Sequence, residues 1–168
     1  GFQRGGQVRM GLPPALQPAA DGLATTQPAL AEKLATDLNV AAEITVGKLR
    51  PLLQRAVAEA RFDDAVAVAT GADDAATRQF RARTEATLLA ALPPLVHDSL
   101  RRGGAYDSRQ ALASAWFAQS GEGLPTELEP DVSRCLLNGL YTAIADAERV
   151  ARHDPARRKL HKLLGITP

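Results

Sequence analysis

Asp74, Thr77, Arg81, Thr84 and Glu85 recur three or four residues apart, so on a helix they share one stripe, alongside Phe80 and leading to Leu88. The stripe is mixed rather than apolar, and two chemistries fit it. In one, Asp73 caps the helix, Arg81 pairs with Glu85 one turn on, and Thr77 and Thr84 hydrogen-bond within a core network. In the other, Asp74, Thr77, Arg81 and Thr84 stand at the mouth of a groove, where the Arg81 fork holds a carboxylate or phosphate in a two-pronged contact. Tyr141, in the run Asn138-Gly139-Leu140-Tyr141, is expected to set its hydroxyl on a polar partner, for which the Arg81 stripe is a candidate. Asp74, Thr77, Arg81, Thr84, Glu85 and Tyr141 therefore make up the ligand-binding set to be tested, either as a site or as a mutually satisfied network.

Other chemistries find less support. Asp63-Asp64 and Asp73-Asp74 lack the ligand spacing of a calcium loop, and adjacent residues on a helix diverge by roughly 100 degrees, so they read as helix caps. His97, His153 and His161 are far apart in sequence and offer no close ligand pair for zinc. The single cysteine, Cys135, excludes an internal disulfide and any cysteine-rich metal site, and reads as a small apolar residue on a helix face. Ser120-Gly121-Glu122-Gly123 lacks the glycine pattern of a nucleophile elbow. No catalytic residue, metal or cofactor is expected. Arg149, Arg152, Arg157, Arg158, Lys159 and Lys162 face only Asp154 over residues 149–162, a basic segment suited to weak contact with an anionic membrane surface or to a solvated helix end. With a net charge of +1 the chain has no global basic field, and no nucleic-acid partner is expected.

These residues need helices to position them, and the composition supplies helices. The 168 residues include 32 Ala and 23 Leu against seven aromatics and twelve Val plus Ile, a ratio that favours helix over sheet. The predicted class is all-α, a single-domain bundle of about six to eight helices over residues 13–168, preceded by an irregular arm over residues 1–12. Leu30, Leu34, Leu38, Ala41 and Ala42 form one apolar stripe to about Val46; Gly47 and Pro51 weaken the middle, and Leu49, Leu52, Leu53, Ala56, Val57 and Ala60 resume it as the cleanest amphipathic stretch. Asp63 opens a short helix to Ala69. The next runs from Asp74 to about Ala91, where Pro93-Pro94 are expected to break or kink it. Its continuation ends at Gly103-Gly104, and Asp107 or Ser108 starts the next helix. After a polar loop to Pro130 comes a long helix with Val132, Cys135, Leu136, Leu140, Ala143, Ile144, Ala147 and Val150 on one face, and Pro155 opens a short terminal one. Ala56, Ala60, Ala143 and Ala147 are expected to let helices approach closely, with Phe80, Trp116 and Tyr141 filling gaps in a Leu-against-Ala core.

Three ordered segments carry a resemblance. Gly71-Ala72-Asp73-Asp74-Ala75-Ala76-Thr77-Arg78-Gln79-Phe80-Arg81-Ala82-Arg83-Thr84, then Asn138-Gly139-Leu140-Tyr141-Thr142-Ala143-Ile144-Ala145 with Glu148, Asp154-Pro155 and Leu163-Leu164-Gly165, and the early Val8-Arg9-Met10-Gly11-Leu12-Pro13 resemble the bacterial family called domain of unknown function 4197. The chain departs from that pattern at Gln79, at Asn138 and at the doubled Pro93-Pro94. The resemblance implies a mostly helical, exported, periplasmic protein, and it carries no catalytic residues. The expected function is a non-enzymatic extracytoplasmic helical module that binds a protein partner or a small, partly apolar ligand. The alternatives are an enzyme with an unfamiliar polar site around Asp74, Arg81, Glu85 and Tyr141, and membrane-surface association through residues 149–162.

Overall fold

A computed structural model describes residues 10–60, 68 and 70–154. Among them the all-α class holds: five α-helices and one short 3-10 helix, with no strand. After the 3-10 turn Pro14–Leu16 come α1 (Gln17–Gly22), α2 (Pro28–Glu59), α3 (Ala75–Arg102), α4 (Ala105–Ser120) and α5 (Glu129–His153). The number among the described residues is slightly lower than the six to eight expected for the whole chain, in part because prolines expected to interrupt helices do not. The helices expected from Asp63 and from Pro155 lie outside the described residues.

Pro51 sits inside α2, and Pro93 and Pro94 sit inside α3. A proline bares the carbonyl four residues back, which is tolerable where that carbonyl meets water. All three prolines are exposed, as are Gly47 and Ala90, two of the residues whose carbonyls lose a donor. The inner face of α3 meanwhile stays fixed by Leu92, Val96 and Leu100, which are fully buried. Burying such side chains is worth roughly 1.5–3 kcal/mol each, enough to offset the roughly 3 kcal/mol of an interior proline. The break expected at Pro93-Pro94 is therefore absent.

The chain divides into two compact units, Gly1–Pro51 with Leu89–Leu136 and Leu52–Leu88 with Leu137–Pro168. The first holds most of the core: Leu34, Leu38, Leu49, Leu92, Val96, Leu100, Leu112 and Leu136 are all inaccessible to solvent. Its helices come close at glycine and alanine. A Cβ on Gly103 would lie 3.1 Å from the Asp37 carbonyl oxygen and 3.2 Å from the Ala41 amide nitrogen, both backbone atoms, and one on Gly22 would meet the Trp116 ring. Gly104 has φ +78°, a left-handed conformation suited to glycine, and its carbonyl starts α4 by accepting the Ser108 amide. Several buried polar groups in this unit are paired across elements. Asn39 clasps Met10 through both its amide nitrogen and its carbonyl oxygen, each bond 2.9 Å, which ties the irregular segment before Pro13 to α2. Ser108 donates to Asp37, and Arg109 donates to the carbonyls of Pro125 and Leu124, both at 2.8 Å, anchoring the loop before α5.

In the second unit the small residues behave otherwise. Ala143 and Ala147 are exposed and Ala56 and Ala60 are half-buried, so the close approach expected at those four positions occurs instead at Gly22, Gly103 and Ala41 in the first unit.

Candidate functional site

The second unit is joined by a polar seam between α3 and α5. Starting at the amino end of α3, the amides of Ala76 and Thr77 donate to Glu148 Oε1 and Oε2 at 3.0 and 2.8 Å, and the Thr77 hydroxyl donates to Oε2 at 2.7 Å. First-turn amides have no partner within their own helix, and a carboxylate there also meets the positive end of the helix dipole. Asp73, which the sequence suggests as the cap, instead lies 2.8 Å from His153 Nε2, and that contact holds its carboxyl below the ordinary range. Glu148 takes the capping role because α5 brings both its oxygens to the amides at once. Arg152 grips Glu148 Oε1 at 2.6 Å and donates to the Val68 carbonyl at 2.7 Å. Burial pushes the Glu148 carboxyl up, but the bonds from Thr77, Arg152 and the two amides outweigh burial and hold it below its ordinary value.

One turn along, Arg81 lies in a two-pronged contact with Glu85, at 3.1 Å from Nε and 2.7 Å from Nη2. Its Nη2 also donates to Asn138 Oδ1 at 2.7 Å, and its guanidinium stands 5.2 Å from the centre of the Tyr141 ring. The Glu85 hydrogen bond raises the Arg81 pKa further, and Arg81 in turn lowers that of Glu85. The Thr84 hydroxyl donates to the Phe80 carbonyl at 2.7 Å, which leaves the Tyr141 hydroxyl as donor in their 2.8 Å contact. Burial pushes the Tyr141 phenol up. Phe80 and Tyr141, both buried, meet edge to face at 6.1 Å. Asp74 pairs with Arg78 at 3.3 Å on the outer side of the turn.

Of the six residues singled out, five thus come together along the seam: Thr77, Arg81, Thr84, Glu85 and Tyr141. Asp74 faces Arg78 instead. The Arg81 fork is occupied by Glu85 and Asn138, although the arginine side chain is still 41% exposed. Sequence reasoning missed Glu148, Asn138 and Arg152 as members of the set. Their signal was legible, since Asn138, Tyr141, Glu148 and Arg152 are spaced three, seven and four apart and so lie on one face of α5.

The opposite face of α5 carries the apolar stripe. Leu140 and Ile144 are half-buried, Ala143 and Ala147 are exposed, and Val150 is 73% exposed. The end of α2, which belongs to the same unit, exposes Leu52 and leaves Val57 61% exposed. Of the amphipathic stretch Leu49, Leu52, Leu53, Ala56, Val57 and Ala60, only Leu49 is buried.

A family model for proteins of unknown function, DUF4197, matches residues 1–165. The chain belongs to the DUF4197 family. The resemblance carried by the segments around Asp73-Asp74, Asn138-Gly139 and Met10 thus extends over nearly the whole chain. No curated protein and no solved structure matches it.

Cys135 is half-buried, and burial pushes its thiol pKa up, away from the thiolate that reaction requires. Among the described residues no group of three or more His, Cys, Asp or Glu is placed to hold a metal ion. No helix among them is long and apolar enough to cross a membrane. In the basic segment, Arg149 pairs with Asp146 at 2.6 Å and Arg152 with Glu148, while Arg157, Arg158, Lys159 and Lys162 lie outside the described residues.

Proposed function

We propose that this chain is a binding module that holds a protein partner along the apolar stripe of α5 in its second unit. The supporting observation is the second-unit part of α5, where Asn138, Tyr141 and Glu148 turn to α3 while Ala143, Ala147 and Val150 face water. An exposed apolar patch with polar flanks is characteristic of interaction surfaces. Leu52 and Val57 add exposed apolar area in the same unit. The fitting partner is a protein segment that presents an apolar helical face, and the two small alanines allow close approach of its backbone.

An enzyme built around Asp74, Arg81, Glu85 and Tyr141 draws less support, because each of those groups already has a protein partner. In this reading the seam serves to present the stripe. Export to the periplasm belongs to the same proposal and rests on the family resemblance; cell fractionation of the native protein checks it. The binding reading is tested with a photoreactive p-benzoylphenylalanine at Ala147 in the native host. The expected result is a covalent adduct with a second protein that Val150→Lys abolishes while the melting temperature stays unchanged. Absence of an adduct at Ala147, or an adduct indifferent to Val150→Lys, contradicts it.

A further inference from the structure

Three side chains from three helices of the first unit meet at one carboxylate oxygen. His97 on α3 sets Nδ1 2.8 Å from Glu129 Oε1, at the first residue of α5. The Tyr106 hydroxyl on α4 donates to the same oxygen at 2.6 Å and lies 2.8 Å from Nδ1. Glu129 Oε2 accepts the Leu128 amide at 3.0 Å. Burial pushes the Glu129 carboxyl up, but the bonds from Tyr106, His97 and the backbone amides bring it to about 2. The carboxylate is therefore an acceptor only.

Counting protons then fixes the imidazole. The Tyr106 hydrogen is committed to Glu129, so Nδ1 faces two oxygens with no hydrogen to give it and must itself be the donor. In the neutral ring the lone pair is then on Nε2. That nitrogen has no partner among the described residues, and the side chain is 61% exposed. His153 has the opposite arrangement, with its Nε2 engaged by Asp73. A ring whose tautomer and direction are fixed by a carboxylate behind it, and whose second nitrogen is open, is the arrangement that makes histidine a base or nucleophile.

The surroundings select the reactant. Glu129 itself sets a negative charge against the ring, so an anionic phosphoryl donor is repelled while an uncharged acyl donor is not. We infer that His97 is an acyl-transfer site, with Nε2 as the nucleophile toward an uncharged activated ester or thioester and Glu129 and Tyr106 as its positioning residues. The Nε2 lone pair forms a bond to the acyl carbon, the carbonyl pair moves to oxygen and returns, and the alkoxide or thiolate leaves. The acylated ring keeps its Nδ1 proton against Glu129. Water then adds to the acyl carbon, the carboxylic acid departs with the neutral ring restored, and the proton that water releases neutralises the alkoxide or thiolate, so the net reaction is hydrolysis of the ester.

The test uses the full chain with p-nitrophenyl acetate as probe, together with ¹⁵N spectra of the imidazoles. The protein-dependent release of nitrophenolate is expected to fall about tenfold or more in His97→Gln, a floor set below what a positioned catalytic group contributes, and to be unchanged in His153→Gln. Glu129→Gln is expected to slow release and to give His97 a mixture of tautomers, a spectroscopic change that a merely structural role would not produce. The wild-type spectrum should show Nδ1 protonated and Nε2 bare in the neutral ring, which keeps the inference open to refutation even if a variant fails to fold. Equal rates for His97→Gln and wild type, or a proton on Nε2 in the neutral wild-type ring, overturn it.

Discussion

The two units solve opposite packing problems with the same long helices. In the first, apolar stripes turn inward, leucines are shut away from water, and glycines at 22 and 103 let helices touch. In the second, hydrogen-bonded polar groups share the contact between α3 and α5 with the buried Phe80, Leu88, Leu137 and Tyr141, while Ala143, Ala147 and Val150 face out. Apolar burial is non-directional and tolerates substitution of similar shape, whereas a buried polar seam is specific and costly to leave half-made. The first unit thus has the character of a scaffold, and the second holds α5 in a defined orientation that leaves one face unused.

Substitutions sharpen the contrast. The largest effect is expected in the scaffold, where Leu112→Ala should lower the unfolding free energy by about 2–5 kcal/mol in a denaturant titration. Next comes the seam: Glu148→Ala strands the Thr77 hydroxyl and two first-turn amides and should cost about 1–3 kcal/mol. Because the folded Glu148 carboxyl lies below its ordinary range, its contribution is present at neutral pH and is lost as pH falls through the ordinary glutamate range toward the folded value. Glu148→Gln should flatten that part of the stability–pH curve, and an unaltered curve would show that the seam is not a load on the second unit. Smaller still is Arg81→Ala, whose ion pair with Glu85 is partly open to solvent, so the melting temperature should move only marginally. A sharp drop there would make Arg81 the keystone of the seam instead of Glu148.

The sequence disclosed the helical class readily, because alanine and leucine leave little alternative, and it disclosed the inward stripe of Leu34, Leu38 and Ala41, which obeys the helical period in a unit that buries it. Helix ends were less legible. Pro93-Pro94 read as a break because local chemistry says so, but their exposure and the buried Leu92 and Val96 decide otherwise, and both are tertiary facts. The partner of Tyr141 was foreseen in the Arg81 stripe and is Thr84. Glu148 was not foreseen as the cap: its place on one face of α5 with Asn138 and Tyr141 is legible, but its partner 71 residues away is not. The stripe through Ala143 and Val150 misled for a related reason: periodicity reports that a helix has an apolar face, not what covers it.

The central claim is that this face is open to solvent in the isolated chain, and its most direct test is the unfolding free energy of the combined Ala143→Lys, Ala147→Lys and Val150→Lys variant. Surface changes of this kind stay within about 0.5 kcal/mol each. With the face open, a cooperative transition shifted by no more than that scale is expected, with near-native helical content. A loss of several kcal/mol would contradict it, because three lysines can be that costly only if the stripe is already buried.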